Sequence, residues 1–258
     1  SRLLVGQALS EKSQTVESRV VLTDLIQRCP DSPLVPEAHL AVARTYAQAQ
    51  DWRSAIGKLD EWVGEYPQHG SRPQVEFDRA WLHYQAGNST NALSLFTNLV
   101  VQFATNALAP VAQMWVGDYY FRQGEFASAE KNYQSLYQNT NWPPTELTYR
   151  ARFNAARAAI GRQRYSDAIP YLQDLLNNPK CPSDLAAETY FALGDTFIWD
   201  AEADPKKPLE NYAEAIKALG RIPQNYPNNP IVARAYGRIA DCHLQLATQD
   251  SGRYKLAV

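Results

Sequence analysis

The chain has 258 residues, of which 45% are hydrophobic and 20% charged, and its formal net charge is −2 at pH 7. This composition excludes a disordered chain, and no apolar run reaches the roughly 18 residues that a membrane-spanning helix needs. A near-neutral balance without a Lys/Arg block argues against nucleic acid or an anionic membrane surface as the main partner.

Pairs of small residues twelve positions apart recur along the chain. The second members of successive pairs are separated by 37, 37, 37 and then 39 residues, and a leucine or an aromatic residue follows each of them by four and by seven. Two further pairs, Gly194/Ala215 and Ala240/Ala257, continue the pattern with spacings of 21 and 17. A fixed period of this length is typical of a solenoid built from stacked units. The five regular pairs are Gly6/Ser18, Ala43/Ala55, Ala80/Ala92, Gly117/Ala129 and Ala156/Ala168.

Each unit is predicted to be two antiparallel helices that pack closely. Apolar residues at helical spacing give the first helix a buried stripe, and small residues such as Gly117 and Ala129 let the second helix approach it. Gly124 falls where the first helix should stop, because glycine tolerates the left-handed backbone found at helix ends. We therefore predict an all-α, right-handed superhelical solenoid of antiparallel helix pairs, with turns near Gln50, Gly87, Gly124 and Gln163.

The pattern predicts one solenoid domain over residues 1–258 with about six to seven repeats. Gly6 already occupies the eighth place of a repeat and Ala257 stands one residue before the last, so both terminal repeats are expected to be incomplete and the native protein to extend further. The segment 200–211, DAEADPKKPLEN, is interpreted as a lengthened turn inside one repeat, with a functional loop as the alternative.

The repeat resembles the tetratricopeptide repeat family. The resemblance is clearest in residues 117–141 and 36–67, which carry a Gly/Ala…Tyr…Gly-x-Tyr/Phe-x-x-Ala…Phe/Tyr/Leu…Leu…Pro series, although the usual period is about 34. Long units that end in Tyr-Pro, as in WVGEYPQHG and IPQNYPNNP, resemble a bacterial envelope subset. That subset includes outer-membrane assembly lipoproteins and periplasmic coordinators of the Tol–Pal system. The resemblance implies a periplasmic or outer-membrane-associated protein, with a cytoplasmic location as the alternative.

Sequence motifs of catalysis or metal binding are missing. The chain has no HExxH, Walker lysine loop, GxSxG or glycine-rich dinucleotide turn, and its three cysteines lack metal spacing. His83 and His243 fall where other repeats carry Tyr46 or Tyr120, which favours packed imidazoles over catalytic ones. We therefore expect no enzyme, no metal and no cofactor.

The family resemblance implies that first-helix positions 2, 5, 9 and 12 line an inner groove. Apolar residues at position 5 and the lack of asparagine at position 9 argue against a clamp for a terminal carboxylate. Aromatic rings with a few charges suit an apolar peptide or helix; the alternative is that the rings only pack between neighbouring helices. The predicted partner-binding residues are Arg44, Phe77, Trp81, Tyr84, Met114, Asp118, Phe121, Phe153, Arg157, Phe191 and Asp195.

Two functions remain open at this point. The first is a non-enzymatic scaffold that binds a peptide or partner protein in the aromatic groove, in the bacterial cell envelope. The second is a helical module, associated with peptidoglycan or another glycan, of a larger envelope enzyme. No direct membrane span and no nucleic acid partner are expected, and the sequence does not indicate the oligomeric state.

Overall fold

The computed structural model describes residues 1–203 and 208–248. Within these residues the secondary structure is entirely helical, which confirms the predicted all-α class, and the helices pack in consecutive pairs. The helices are α1 (Arg2–Glu11), α2 (Thr15–Arg28), α3 (Val35–Gln48), α4 (Trp52–Glu65), α5 (Arg72–Gln85), α6 (Ser89–Gln102), α7 (Ala109–Arg122), α8 (Phe126–Tyr137), α9 (Glu146–Gly161), α10 (Tyr165–Leu176), α11 (Ser183–Ala203), α12 (Pro208–Asn225) and α13 (Val232–Ala247).

Contacts divide the chain into two compact units, Ser1–Ala112 and Gln113–Val258. In the first unit each helix from α1 to α5 packs on the next one in the chain, and α1 also touches α3. In the second unit the same holds from α8 to α12, and α9 touches α11, which touches α13. The first helices that contact one another are thus α1 and α3 in the first unit, and α9, α11 and α13 in the second. The expectation of one continuous domain over 1–258 stays a prediction.

A residue with left-handed backbone ends the first helix of five successive pairs. These residues are Ser13, Gln50, Gly87, Gly124 and Gln163, with φ of 61°, 58°, 81°, 75° and 60°. At Gly124 the amide of Glu125 donates to the carbonyl of Tyr120 at 2.9 Å and the amide of Gly124 donates to Phe121 at 3.1 Å, as in a Schellman motif. The four predicted turns are therefore confirmed, and Ser13 adds a fifth with the same 37-residue spacing.

The small residues of the repeat lie where the paired helices meet. A Cβ atom added at Gly117 would stand 2.6 Å from Cε1 of Tyr133, and one added at Gly194 would stand 2.4 Å from Cγ of Leu219. In the first pair, the Ser18 hydroxyl donates to the Gly6 carbonyl at 2.6 Å. These separations leave no room for a side chain, so the predicted close approach is confirmed.

The segment 200–211 differs from the lengthened turn that the sequence suggested. Residues 200–203 continue α11 and residues 208–211 open α12, while residues 204–207 lie outside the described part, as does Ala257. The extra helical turns are stabilised because Ala201 and Tyr212 are buried. The Asn211 side-chain amide also donates to Asp200 at 2.9 Å and ties the two helices together. The insertion therefore lengthens a helix pair.

A buried carboxylate links two successive helix pairs of the second unit. Glu130 on α8 is 8% exposed and accepts from the Arg162 guanidinium at 2.7 Å, at the end of α9. It also accepts from the Tyr171 hydroxyl on α10 at 2.9 Å, and the Gln134 amide contacts the same hydroxyl. Burial, followed by the hydrogen bond to Glu130, raises the pKa of Tyr171 well above its usual range.

Candidate functional site

A large groove opens in the second unit, along the layer of first helices. Its volume is about 1360 Å³. The walls come from the end of α7, from α9 and α11, from the loop before α13 and the first turn of that helix, and from the first residue of α8. The lining residues are Phe121, Arg122, Phe126, Phe153, Arg157, Ile160, Gly161, Asp184, Glu188, Phe191, Ala192, Asp195, Trp199, Asn229, Pro230, Ile231 and Arg234.

Aromatic rings form the apolar part of this groove. Phe121 meets Phe126 edge to face, with ring centroids 5.2 Å apart, and Trp199 lies 6.1 Å from Tyr165. Phe121, Phe126 and Trp199 are partly exposed, as is Phe153, whereas Phe191 is only 7% exposed. Rings held against other rings lose little conformational freedom on binding, which favours them as anchors for a ligand.

Two arginines lie over phenylalanine rings of the groove. The Arg157 guanidinium is 4.9 Å from the centroid of Phe121, and the Arg234 guanidinium is 4.5 Å from that of Phe191. In both cases the arginine belongs to the first helix that follows the one carrying the ring. Cation–π attraction therefore fixes the position of two positive charges in the groove wall.

Carboxylates also line this groove. Oδ1 of Asp195 lies 2.9 Å from Nε of Arg238 in an ion pair. Burial raises the pKa of Asp195, while the charges of Arg238 and Arg234 act in the opposite direction. Asp184 and Glu188 are exposed residues on the first two turns of α11. The groove thus offers both signs of charge beside apolar rings.

Five of the predicted site residues meet in this groove: Phe121, Phe153, Arg157, Phe191 and Asp195. Met114 and Asp118 belong to the same unit but do not line it. Asp118 accepts from the Tyr133 hydroxyl at 2.6 Å, because the tyrosine crosses from α8 to reach it. Burial and this bond raise the pKa of Tyr133 far above its usual range.

Two of the four predicted site residues of the first unit line a smaller cavity. Arg44 and Trp81 line a space of about 240 Å³ between α3, α4 and α5. Trp81 is 42% exposed, and Tyr84 lies beside it with ring centroids 5.6 Å apart. Phe77 instead packs edge to face on the buried Phe96 at 5.2 Å. Packing explains Phe77, while the binding role of Arg44, Trp81 and Tyr84 stays a prediction.

Several groove residues were missed by the sequence reasoning. Glu188 and Arg234 occupy position 2 of their first helices, three residues before position 5, so the family pattern could have found them. Trp199 and Gly161 follow position 12 directly, and Phe126 opens a second helix, so the inner-face positions do not include them. The groove residues absent from the predicted set are Arg122, Phe126, Ile160, Gly161, Asp184, Glu188, Ala192, Trp199, Asn229, Pro230, Ile231 and Arg234.

The described residues contain no cluster of three or more His, Cys, Asp or Glu side chains that could hold a metal ion. No helix in the same residues is both long and apolar enough to span a membrane. His83 and His243, expected to be packed imidazoles, are both partly buried, and burial lowers the pKa of His83.

Sequence profiles decide the family. One tetratricopeptide repeat profile matches residues 77–146 and 117–184, and a second matches residues 185–229, which together is more than half of the chain. The chain belongs to the tetratricopeptide repeat family. Repeats of this family are interaction modules for proteins and are generally not catalytic. No significant match is found among curated protein sequences.

Solved tetratricopeptide repeat structures share the fold at low sequence identity. The C-terminal part of a repeat protein from Cytophaga hutchinsonii is 14% identical, with 99% of this chain and 92% of that chain covered and a TM-score of 0.65. A repeat protein from Parabacteroides merdae is 16% identical over 99% and 89%, with a TM-score of 0.54. A signal-transduction ATPase with a tetratricopeptide repeat sensor from Pyrococcus horikoshii is 15% identical over 99% and 40%, with a TM-score of 0.60.

Proposed function

We propose that this protein is a non-enzymatic scaffold and that the groove of its second unit binds a segment of a partner protein. One observation carries the proposal: partly exposed aromatic rings and fixed arginines of successive first helices line a single groove. Its volume of about 1360 Å³ exceeds the roughly 300–1,000 Å³ of sites for small molecules, which favours a peptide or a helix as the ligand.

Selection of displayed random peptides on the purified protein tests this proposal. Peptides that bind should lose affinity in the Phe153→Ala variant by roughly thirtyfold or more, since truncation of an aromatic anchor commonly costs about 2 kcal/mol of binding energy. Tyr236→Ala is a matched control, because Tyr236 is 58% exposed and does not line the groove. Circular dichroism and thermal unfolding of both variants would show that the fold is kept.

Equal binding by wild type and Phe153→Ala would contradict the proposal. Retention of the protein on peptidoglycan, lost in Phe153→Ala, together with no peptide selected at all, would favour a glycan-associated module instead.

We also propose a location in the bacterial cell envelope, at the outer membrane or in the periplasm. The support is the Tyr-Pro ending of the long repeats at Tyr66–Pro67 and Tyr226–Pro227, which resembles envelope members of the family. Immunoblots of fractionated cells of the source organism test this location. Recovery of the protein only with the cytoplasmic fraction would overturn it.

A further inference from the structure

Arg157 and Arg234 differ in their partners from most of the other arginines that the structure describes. Arg28, Arg79, Arg150, Arg162 and Arg238 each contact a carboxylate at distances between 2.5 and 2.9 Å. In the described part of the chain, Arg157 and Arg234 form no ion pair, and the polar contact of Arg157 is a long one of 3.4 Å to the Asn154 amide oxygen. Two guanidinium groups of one groove are therefore left without a carboxylate.

The contacts with the two rings prepare these two groups for an anion. A guanidinium group carries its N–H donors at the edge of its own plane, so a cation–π contact does not use them up. The fork of donors matches a carboxylate in a bidentate arrangement. Because Phe121 and Phe191 already fix the two side chains, little of their rotational freedom remains to be lost on binding.

The acidic residues of the groove do not pair with Arg157 and Arg234 in place of a ligand carboxylate. Asp195 is paired with Arg238, although the charge of Arg234 also acts on its carboxyl. Asp184 lies in the first turn of α11, where the helix dipole stabilises a negative charge, and Glu188 follows one turn later. These two carboxylates favour a basic group of the ligand at their end of the groove.

We infer that the groove binds a protein segment in which acidic side chains alternate with apolar ones. Its carboxylates would pair with Arg157 and Arg234, and its apolar side chains would contact the partly exposed rings of Phe121, Phe153 and Trp199. The inference rests on the proposed function of this groove and specifies the charge of the partner.

The test uses the same displayed library of random peptides, selected on the whole protein. Peptides that depend on Phe153 should be enriched in Asp and Glu together with Phe, Leu or Trp. Arg157→Gln and Arg234→Gln should each weaken a selected acidic peptide by about tenfold or more, since a hydrogen-bonded charge is removed. Arg221→Gln is the matched control, because Arg221 is exposed on α12 and lies outside the groove.

Salt gives an independent readout, because exposed charge pairs are screened once the Debye length falls to a few ångströms. Binding of the acidic peptide should weaken as salt rises, and the Arg157→Gln, Arg234→Gln double variant should lose most of this dependence.

Phe153-dependent peptides without acidic enrichment, or arginine variants that bind like Arg221→Gln, would overturn the inference and leave the scaffold proposal standing. Absence of any Phe153-dependent peptide would overturn both.

Discussion

Gly117→Ala should destabilise the protein, although alanine is the better helix former. In the interior of a helix the change gains roughly 0.5–1 kcal/mol from propensity. The added methyl would stand 2.6 and 2.7 Å from Cε1 and Cδ1 of Tyr133, which is 1% exposed. The ring cannot swing aside easily, because its hydroxyl is held by Asp118 at 2.6 Å. Overpacking typically costs about 1–3 kcal/mol, so we expect a net loss of about 1–2 kcal/mol.

Gly220→Ala is the matched control for this prediction. Gly220 is also inside a helix of the second unit, and a Cβ there would meet nothing within 4 Å, so only the propensity gain should remain. Thermal unfolding followed by circular dichroism should move the two midpoints in opposite directions, by roughly 2–4 °C for each kcal/mol. A Gly117→Ala variant as stable as Gly220→Ala would refute the close-contact reasoning.

Three further expectations concern single side chains. Trp81→Ala should cost far less stability than Trp62→Ala, because Trp81 is 42% exposed and Trp62 only 1%. Truncation of a buried tryptophan such as Trp62 typically costs about 3–5 kcal/mol. Equal losses in urea unfolding would make Trp81 a packing residue. Burial lowers the pKa of His83, so the unfolded chain binds the proton more readily and stability should fall as pH drops through about 6.5. The His83→Gln variant should lose less stability between about pH 7 and 5, and an identical pH profile would count against this. In native protein a thiol reagent should modify exposed Cys29 quickly and Cys242 slowly, since burial raises the pKa of Cys242 to about 12; equal rates by mass spectrometry would contradict this.

The repeat could be predicted because the sizes of its residues recur at a regular spacing. Where the two helices of a pair touch, Gly117 and Ala129 are small and Tyr133 is large. Gly124 is the residue type that a left-handed turn prefers. Gln50 and Gln163 take the same backbone conformation without being glycine. Only the period places turns at those two residues, so periodicity predicts more of this fold than residue propensity does.

The groove was only partly predictable, because contacts between helices do not follow from one helix. Position 9 of the repeat contains both Arg157, which lies over a ring, and Asp118, which is used by Tyr133. The family pattern assigns both residues to the inner groove. Contacts with the neighbouring helix determine whether such a residue lines the groove or pairs within the protein. The lengthened helices α11 and α12 were missed because the spacing of 21 between Gly194 and Ala215 shows that residues are inserted, but not whether they form a turn or extend the two helices.

The Glu130 network has a consequence for how the repeats could be rearranged. The residues that match Glu130 in the neighbouring repeats are Leu93 and Ile169, so an acid occupies this place where its neighbours carry aliphatic side chains. Apolar stacking alone would accept many repeats as neighbours, whereas a buried carboxylate accepts only one that brings an arginine and a tyrosine to it. Duplication or shuffling of whole units would strand that charge. The Glu130 contacts therefore fix which repeat must follow α8. We expect the chain to tolerate recombination of its repeats less readily at this junction than at others.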